Sequence, residues 1–127
     1  ASKFAVVGIS ESLFHELNMR QSAVGVSALC PGFVKTRIFE SQRNMPSSLR
    51  SYNESPDAKA LNDLGSAAVN AGIDADIVAE AVANAVLTKQ FWILTHMKAA
   101  IRTTEQRLEW MKGSGPATIN LEGATQP

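Results

Sequence analysis

The chain has 127 residues, and its 12 Lys and Arg residues balance its 12 Asp and Glu residues. Zero net charge without a basic run argues against a sequence-independent phosphate-binding surface, so we expect no nucleic-acid partner. Cys30 is the single cysteine, which excludes an intrachain disulfide framework, and no apolar run reaches the length of a membrane span. Composition therefore predicts a cytoplasmic chain with no membrane association.

Apolar residues at helical spacing predict a first helix from 3 to about 20, with Phe4, Val7, Phe14 and Leu17 on one face. Residues 23–30 follow as a short apolar run rich in small and β-branched side chains, which is typical of a buried parallel strand. Pro31 and Gly32 end this strand, because proline removes an amide donor and glycine permits a close turn.

The segment 37–72 accumulates Ser, Asn, Asp, Gly and Pro, and only 47–51 and 58–64 resemble helices. It is too long for an ordinary connection, so we interpret it as a lid over a binding site. Met45, Leu49 and Tyr52 are the apolar candidates for contact with a substrate. Burial of the same side chains against the domain is the open alternative.

Asp74 is positioned to cap a helix from 75 to about 87, whose buried stripe is predicted to contain Val78, Val82 and Val86. A short strand at 91–95 and a last helix at 98–111 complete the regular part. Residues 117–127 are predicted to form a flexible tail.

This order of elements predicts an α/β fold containing a parallel strand–helix–strand unit. Two parallel strands do not make a stable sheet, because parallel strands are normally covered on both faces and flanked by others. The sequence therefore suggests part of a larger sheet.

Two segments carry a resemblance to a known family. Ala1-Ser2-Lys3 and the helix after it resemble the Tyr-x-Ala-Ser-Lys segment of the short-chain dehydrogenases/reductases, and 31–36 resembles the family's Pro-Gly-x-x-x-Thr segment. The resemblance implies that 1–116 is the C-terminal portion of a doubly wound, parallel-sheet Rossmann-like domain, with 37–72 as its substrate lid.

The family resemblance implies an oxidoreductase that moves a hydride between NAD or NADP and a small-molecule alcohol or carbonyl substrate, in a homodimer or homotetramer. Lys3 matches the family lysine that binds the nicotinamide ribose and lowers the pKa of the catalytic tyrosine. That tyrosine would lie two positions before Ala1. We therefore expect a fragment that is inactive by itself.

The same resemblance assigns cofactor binding to Lys3, Pro31, Gly32, Val34 and Thr36, with Val34 and Thr36 holding the nicotinamide carboxamide. Open α/β sheets bind ligands at the carboxyl ends of their strands, where these residues stand. An ordinary turn from strand to loop is the alternative interpretation.

A non-catalytic oligomerisation or regulatory module of the same ancestry is the second functional hypothesis, because the first helix has a broad apolar face. His15 and His96 lack the spacing of metal ligands, so we expect no metal. His15 is expected at the surface or at a helix interface, and His96 in a loop. Cys30 is expected to be an inert, buried thiol.

Overall fold

The structure, a computed structural model, describes residues 1–49 and 55–115. Its elements in chain order are helix α1 (Ser2–Met19), strand β1 (Ala28–Cys30), a 3₁₀ helix (Ile38–Asn44), and then α2 (Pro56–Asn70), α3 (Ala75–Thr88), β2 (Trp92–Leu94) and α4 (Met97–Met111). The predicted α/β class is confirmed. No helix within these ranges combines the length and hydropathy needed to cross a bilayer.

The two strands form a parallel sheet, and its register sets Cys30, the last residue of β1, opposite Leu94, the last residue of β2. At the start of the ladder, the Ala28 N–H donates to the Phe91 carbonyl at 2.7 Å. Both strands are shorter than the predicted 23–30 and 91–95, because each finds a partner over only three residues. The two carboxyl ends consequently lie side by side.

A second parallel contact joins the chain after β1 to the chain before α3. Val34 bridges Ile73: the Ile73 N–H donates to the Phe33 carbonyl at 3.1 Å, and the Lys35 N–H donates to the Ile73 carbonyl at 2.8 Å. This bridge fixes the segment that follows Pro31 and Gly32 against the body of the fold.

The apolar core of the described residues is small and lies around the sheet and α3. Its buried members are Ala28, Val69, Ile73, Ala85, Phe91 and Ile93. Helix α1 buries no residue completely, and Phe4 and Ile9 on it are 71% and 68% exposed. Burial of apolar surface is the main force that stabilises a fold, and much of the apolar surface of α1 is left uncovered by the described residues.

Helix α3 packs on β2 through a face that differs in part from the predicted stripe. Val78, Ala81 and Val82 are half-buried and Ala85 is buried, which is the i, i+3, i+4, i+7 pattern of one helical face. Val86 is 64% exposed, so its assignment to the stripe is wrong. It stands one position beyond the inward-facing Ala85.

The segment 37–72 is more regular than its composition indicates. The Ser55 hydroxyl accepts the Ala58 N–H at 3.2 Å and Pro56 occupies the first turn, so α2 starts with a side-chain cap and runs well beyond the predicted 58–64. Phe39 of the 3₁₀ helix lies against Gly65, where a Cβ atom would collide with its ring. This long-range contact holds the 3₁₀ helix on α2.

Candidate functional site at the carboxyl ends of the strands

The ends of β1 and β2 are joined by a small polar cluster of Gly32, Thr95 and His96. The Gly32 N–H is shared between Thr95 Oγ1 and His96 Nδ1, each at 3.2 Å. Thr95 Oγ1 and His96 Nδ1 are themselves 2.8 Å apart. Pro31 has no N–H to continue the ladder. The side chains of Thr95 and His96, which directly follow β2, therefore accept the Gly32 N–H in place of a backbone carbonyl.

His96 is deeply buried in this cluster, with an exposed fraction of 4%. Burial lowers the pKa of the imidazole, because the charged form loses its hydration. Nδ1 accepts from Gly32, which places the proton of the neutral ring on Nε2. Nε2 is buried and has no hydrogen-bond partner among the described residues.

His96 lies in the turn between β2 and α4, which agrees with its predicted loop position, but its burial and its contact with Gly32 were not predicted. A usable signal was present: Thr95 and His96 directly follow a strand whose carboxyl end neighbours Pro31 and Gly32. Polar residues at adjacent carboxyl ends of a parallel sheet converge, so that position is informative even for a single histidine.

Val34 is oriented by its bridge to Ile73. In a parallel bridge, one bridged residue makes hydrogen bonds to both chain neighbours of the other. Here Ile73 bonds to Phe33 and Lys35, the neighbours of Val34. Successive backbone groups of an extended chain point in opposite directions, so the Val34 N–H and C=O are directed away from Ile73. Val34 therefore offers one donor and one acceptor on the side opposite the bridge.

Lys35 and Asp74 form an exposed ion pair beside the same bridge. Lys35 Nζ lies 3.0 Å from Asp74 Oδ1, and both side chains are at least half exposed. Asp74 occupies the N-cap position of α3, but its carboxylate accepts no hydrogen bond from the helix. The predicted side-chain cap is thus wrong, since the carboxylate binds the nearby ammonium group of Lys35.

Lys3 lies in the first turn of α1 and lines a groove of about 780 Å³ between α1, the sheet and α4. Cys30 and Leu94, the paired ends of the two strands, line the same groove, and most of the other lining residues are apolar. The Lys3 side chain makes no hydrogen bond or ion pair with any residue that the structure describes. Cys30 is half-buried, and burial raises the pKa of its thiol.

The other predicted site residues lie apart from this groove. Pro31 and Thr36 are exposed on either side of the Val34 bridge. Met45 is half-buried after the 3₁₀ helix, and Leu49 is 55% exposed. Tyr52 and the predicted tail at 117–127 lie outside the described residues.

Comparisons with known proteins agree on one family. The model of the short chain dehydrogenase family matches residues 1–47. A curated relative, the CLA biosynthesis dehydrogenase/reductase of Lactiplantibacillus plantarum, is 28% identical over 100 residues, which are 76% of this chain and 35% of that protein.

A solved structure gives the same result for the fold. The crystal structure of a short chain dehydrogenase/reductase from Burkholderia phymatum in complex with NAD is similar over 93% of this chain, with a TM-score of 0.78 and 34% sequence identity. The chain spans 42% of that structure's chain, so it corresponds to less than half of either relative.

Proposed function

Because the chain belongs to the short-chain dehydrogenase/reductase family, we propose that it forms part of an oxidoreductase dependent on NAD or NADP. Its reaction moves a hydride between the nicotinamide and the carbon of a small alcohol or carbonyl substrate. When bound, the cofactor supplies the hydride chemistry, and the protein supplies orientation and proton transfer.

The orientation of Val34 is the observation that carries this proposal. Its backbone presents one N–H and one C=O on the side away from Ile73. A carboxamide has one acceptor oxygen and a donor NH₂ group, so the two backbone groups suit the nicotinamide carboxamide. Bound in this way, the carboxamide fixes which face of the ring meets the substrate.

Thr36, Pro31 and Gly32 complete the proposed binding segment. The Thr36 side chain is exposed just after the bridge, where its hydroxyl can add a donor or acceptor beside the Val34 groups. Pro31 and Gly32 form the turn from the strand end into this segment. Ligands of open α/β sheets bind at these carboxyl ends.

Lys3 is proposed as the residue that holds the nicotinamide ribose and tunes the proton donor. Its side chain has no partner among the described residues, and it shares a groove with the strand ends. An ammonium group favours a phenolate over a neutral phenol, so it lowers the pKa of a neighbouring tyrosine. In the family that tyrosine precedes the lysine by four positions. The chain alone is therefore proposed to be inactive.

We further propose that 37–72 is the substrate lid. Phe39 packs on Gly65 at the base of this segment, and Arg37 Nε, just before the 3₁₀ helix, donates to Glu40 Oε2 at 2.8 Å. Met45 and Leu49 follow this base and are the proposed apolar contacts to substrate. Tyr52 keeps the same proposed role from its sequence position alone.

The proposal is tested by dinucleotide binding and turnover in the protein encoded by the complete reading frame that contains this chain. We expect NADH or NADPH to bind and to be oxidised with a carbonyl substrate from a panel of aldehydes and ketones. Thr36→Val should weaken dinucleotide binding about 3- to 10-fold, the equivalent of one hydrogen bond.

Thr88→Val, at an exposed position of α3, is the matched control and should bind as the wild type does. Failure of both dinucleotides to bind would reject the proposal. Turnover by the purified 127-residue chain would reject the assignment of the proton donor to a preceding tyrosine.

A second candidate function rests on α1. Phe4, Val6, Ile9 and Met19 are all more than 60% exposed on this helix. An apolar surface of this kind suits helix-to-helix association, which favours the oligomerisation or regulatory module. Sedimentation of the chain tests this candidate, because a module predicts a stable oligomer and a clean monomer would count against it.

A further inference from the structure

His96 occupies a position that the proposed chemistry does not itself explain. Among the side chains whose burial the structure describes, it is the one buried polar group, and it is the N-cap residue of α4. Its imidazole makes no capping hydrogen bond to that helix. Instead, Nδ1 reaches across the sheet to the Gly32 N–H, 64 positions away in the chain.

His96 accepts a hydrogen bond from Gly32, which carries the first backbone N–H after β1. The parallel ladder ends at Cys30 and Leu94, and Pro31 has no donor with which to extend it. The next attachment of the chain is the bridge between Val34 and Ile73. The turn is therefore fixed at Gly32 by His96 and Thr95, and again at Val34 by Ile73.

We propose that His96 is a positioning residue that fixes the path of 31–34 through Gly32 and so aims the backbone groups of Val34 at the nicotinamide carboxamide. This inference rests on the proposed function. Nδ1 is the atom that fixes this path, because it accepts the hydrogen bond from the Gly32 N–H. Nε2 serves no contact among the described residues, so a side chain that keeps only the Nδ1-like acceptor should replace the imidazole.

Three substitutions of His96 distinguish the contribution of Nδ1 from that of Nε2. Asn places its side-chain oxygen near the position of Nδ1, whereas Gln places its polar end near that of Nε2. Leu has a comparable volume and removes both polar atoms, so it leaves a buried site filled. His15→Asn on exposed α1 is the matched control at the only other histidine.

The first readout is independent of cofactor and substrate. The amide proton of Gly32, observed by NMR in the 127-residue chain or in the longer protein, should keep its hydrogen-bonded chemical shift in His96→Asn. It should move upfield in His96→Leu and His96→Gln. An unchanged Gly32 shift in the Leu variant would show that the bond to His96 does not hold the turn, and would overturn the inference.

The second readout is kcat/KM for the reduced dinucleotide in the complete protein. His96→Leu and His96→Gln should lose about tenfold to a hundredfold, because a small displacement of a positioned group is costly in rate. His96→Asn and His15→Asn should stay within about threefold of the wild type, since each leaves the acceptor at Gly32 in place. Equal losses in the Asn and Leu variants, with both folded, would also overturn the inference.

The two readouts distinguish this inference from the proposed function. A wild-type protein that binds no dinucleotide rejects the proposed function and, with it, the role of His96 toward the carboxamide. A protein that binds dinucleotide while His96→Leu retains full kcat/KM rejects the role of His96 alone.

Discussion

The backbone of Gly72 lies directly against the carbonyl group of Phe33. A Cβ atom at position 72 would overlap the Phe33 oxygen and carbon, which are backbone atoms and cannot move aside as a flexible side chain does. This close approach allows the adjacent Ile73 to pair with Val34. Glycine is required here by the distance between two chain segments.

Gly72→Ala should therefore destabilise the chain by about 1–3 kcal/mol, the usual cost of forcing an added methyl group into a packed site. The midpoint of urea unfolding measures this change. Gly25→Ala is the matched control, because a Cβ atom there meets nothing within 4 Å. Similar midpoints for the two variants would contradict the packing of Gly72 on Phe33.

Lys3→Ala should reduce kcat/KM of the complete protein by about 10²- to 10⁴-fold, the range typical of losing an element of general acid–base catalysis. Lys3→Arg should retain part of the activity, because it keeps the charge but changes the donor geometry. Lys59→Ala, an exposed lysine on α2, is the control. The steady-state rate of NAD(P)H oxidation provides the measurement, and wild-type activity in Lys3→Ala would remove Lys3 from the site.

The ion pair between Lys35 and Asp74 should contribute little to stability. Both side chains are at least half exposed, and exposed pairs are typically worth about 0.2–1 kcal/mol. A double-mutant cycle with Lys35→Ala and Asp74→Ala measures the coupling free energy. The coupling should fall further in about 1 M salt, where charges are screened within a few ångströms. Salt-independent coupling would show that the pair acts through the structure of the bridge.

Stability should decrease as the pH falls below about 6.5 because of His96. Burial holds its pKa below the ordinary value of 6.5, so the unfolded chain binds more protons than the folded chain as the pH drops from 6.5 toward the folded pKa. The effect is absent above pH 6.5 and complete below the folded pKa. Urea midpoints measured between pH 5 and pH 7 test this prediction.

His96→Asn should flatten that part of the pH dependence, whereas His15→Asn, at an exposed position on α1, serves as the control. A His96→Asn chain that loses as much stability on acidification as the wild type would assign the pH dependence to other groups.

The sequence by itself determined the order of α1, β1, α3, β2 and α4, the parallel pairing and the turn at Pro31 and Gly32. These features follow from local signals: apolar spacing within one helix, short β-branched runs, and the restricted chemistry of proline and glycine. The same signals carried the family resemblance, because its two motifs are contiguous segments.

Only the tertiary structure decided which residues meet at the strand ends. His96 is buried because β1 and β2 end side by side, and the carboxylate of Asp74 leaves its helix because Lys35 lies within reach. Val34 gains its orientation from Ile73, 39 positions later. Such contacts depend on the distance between segments that are remote in the chain, which residue spacing within a single segment does not encode.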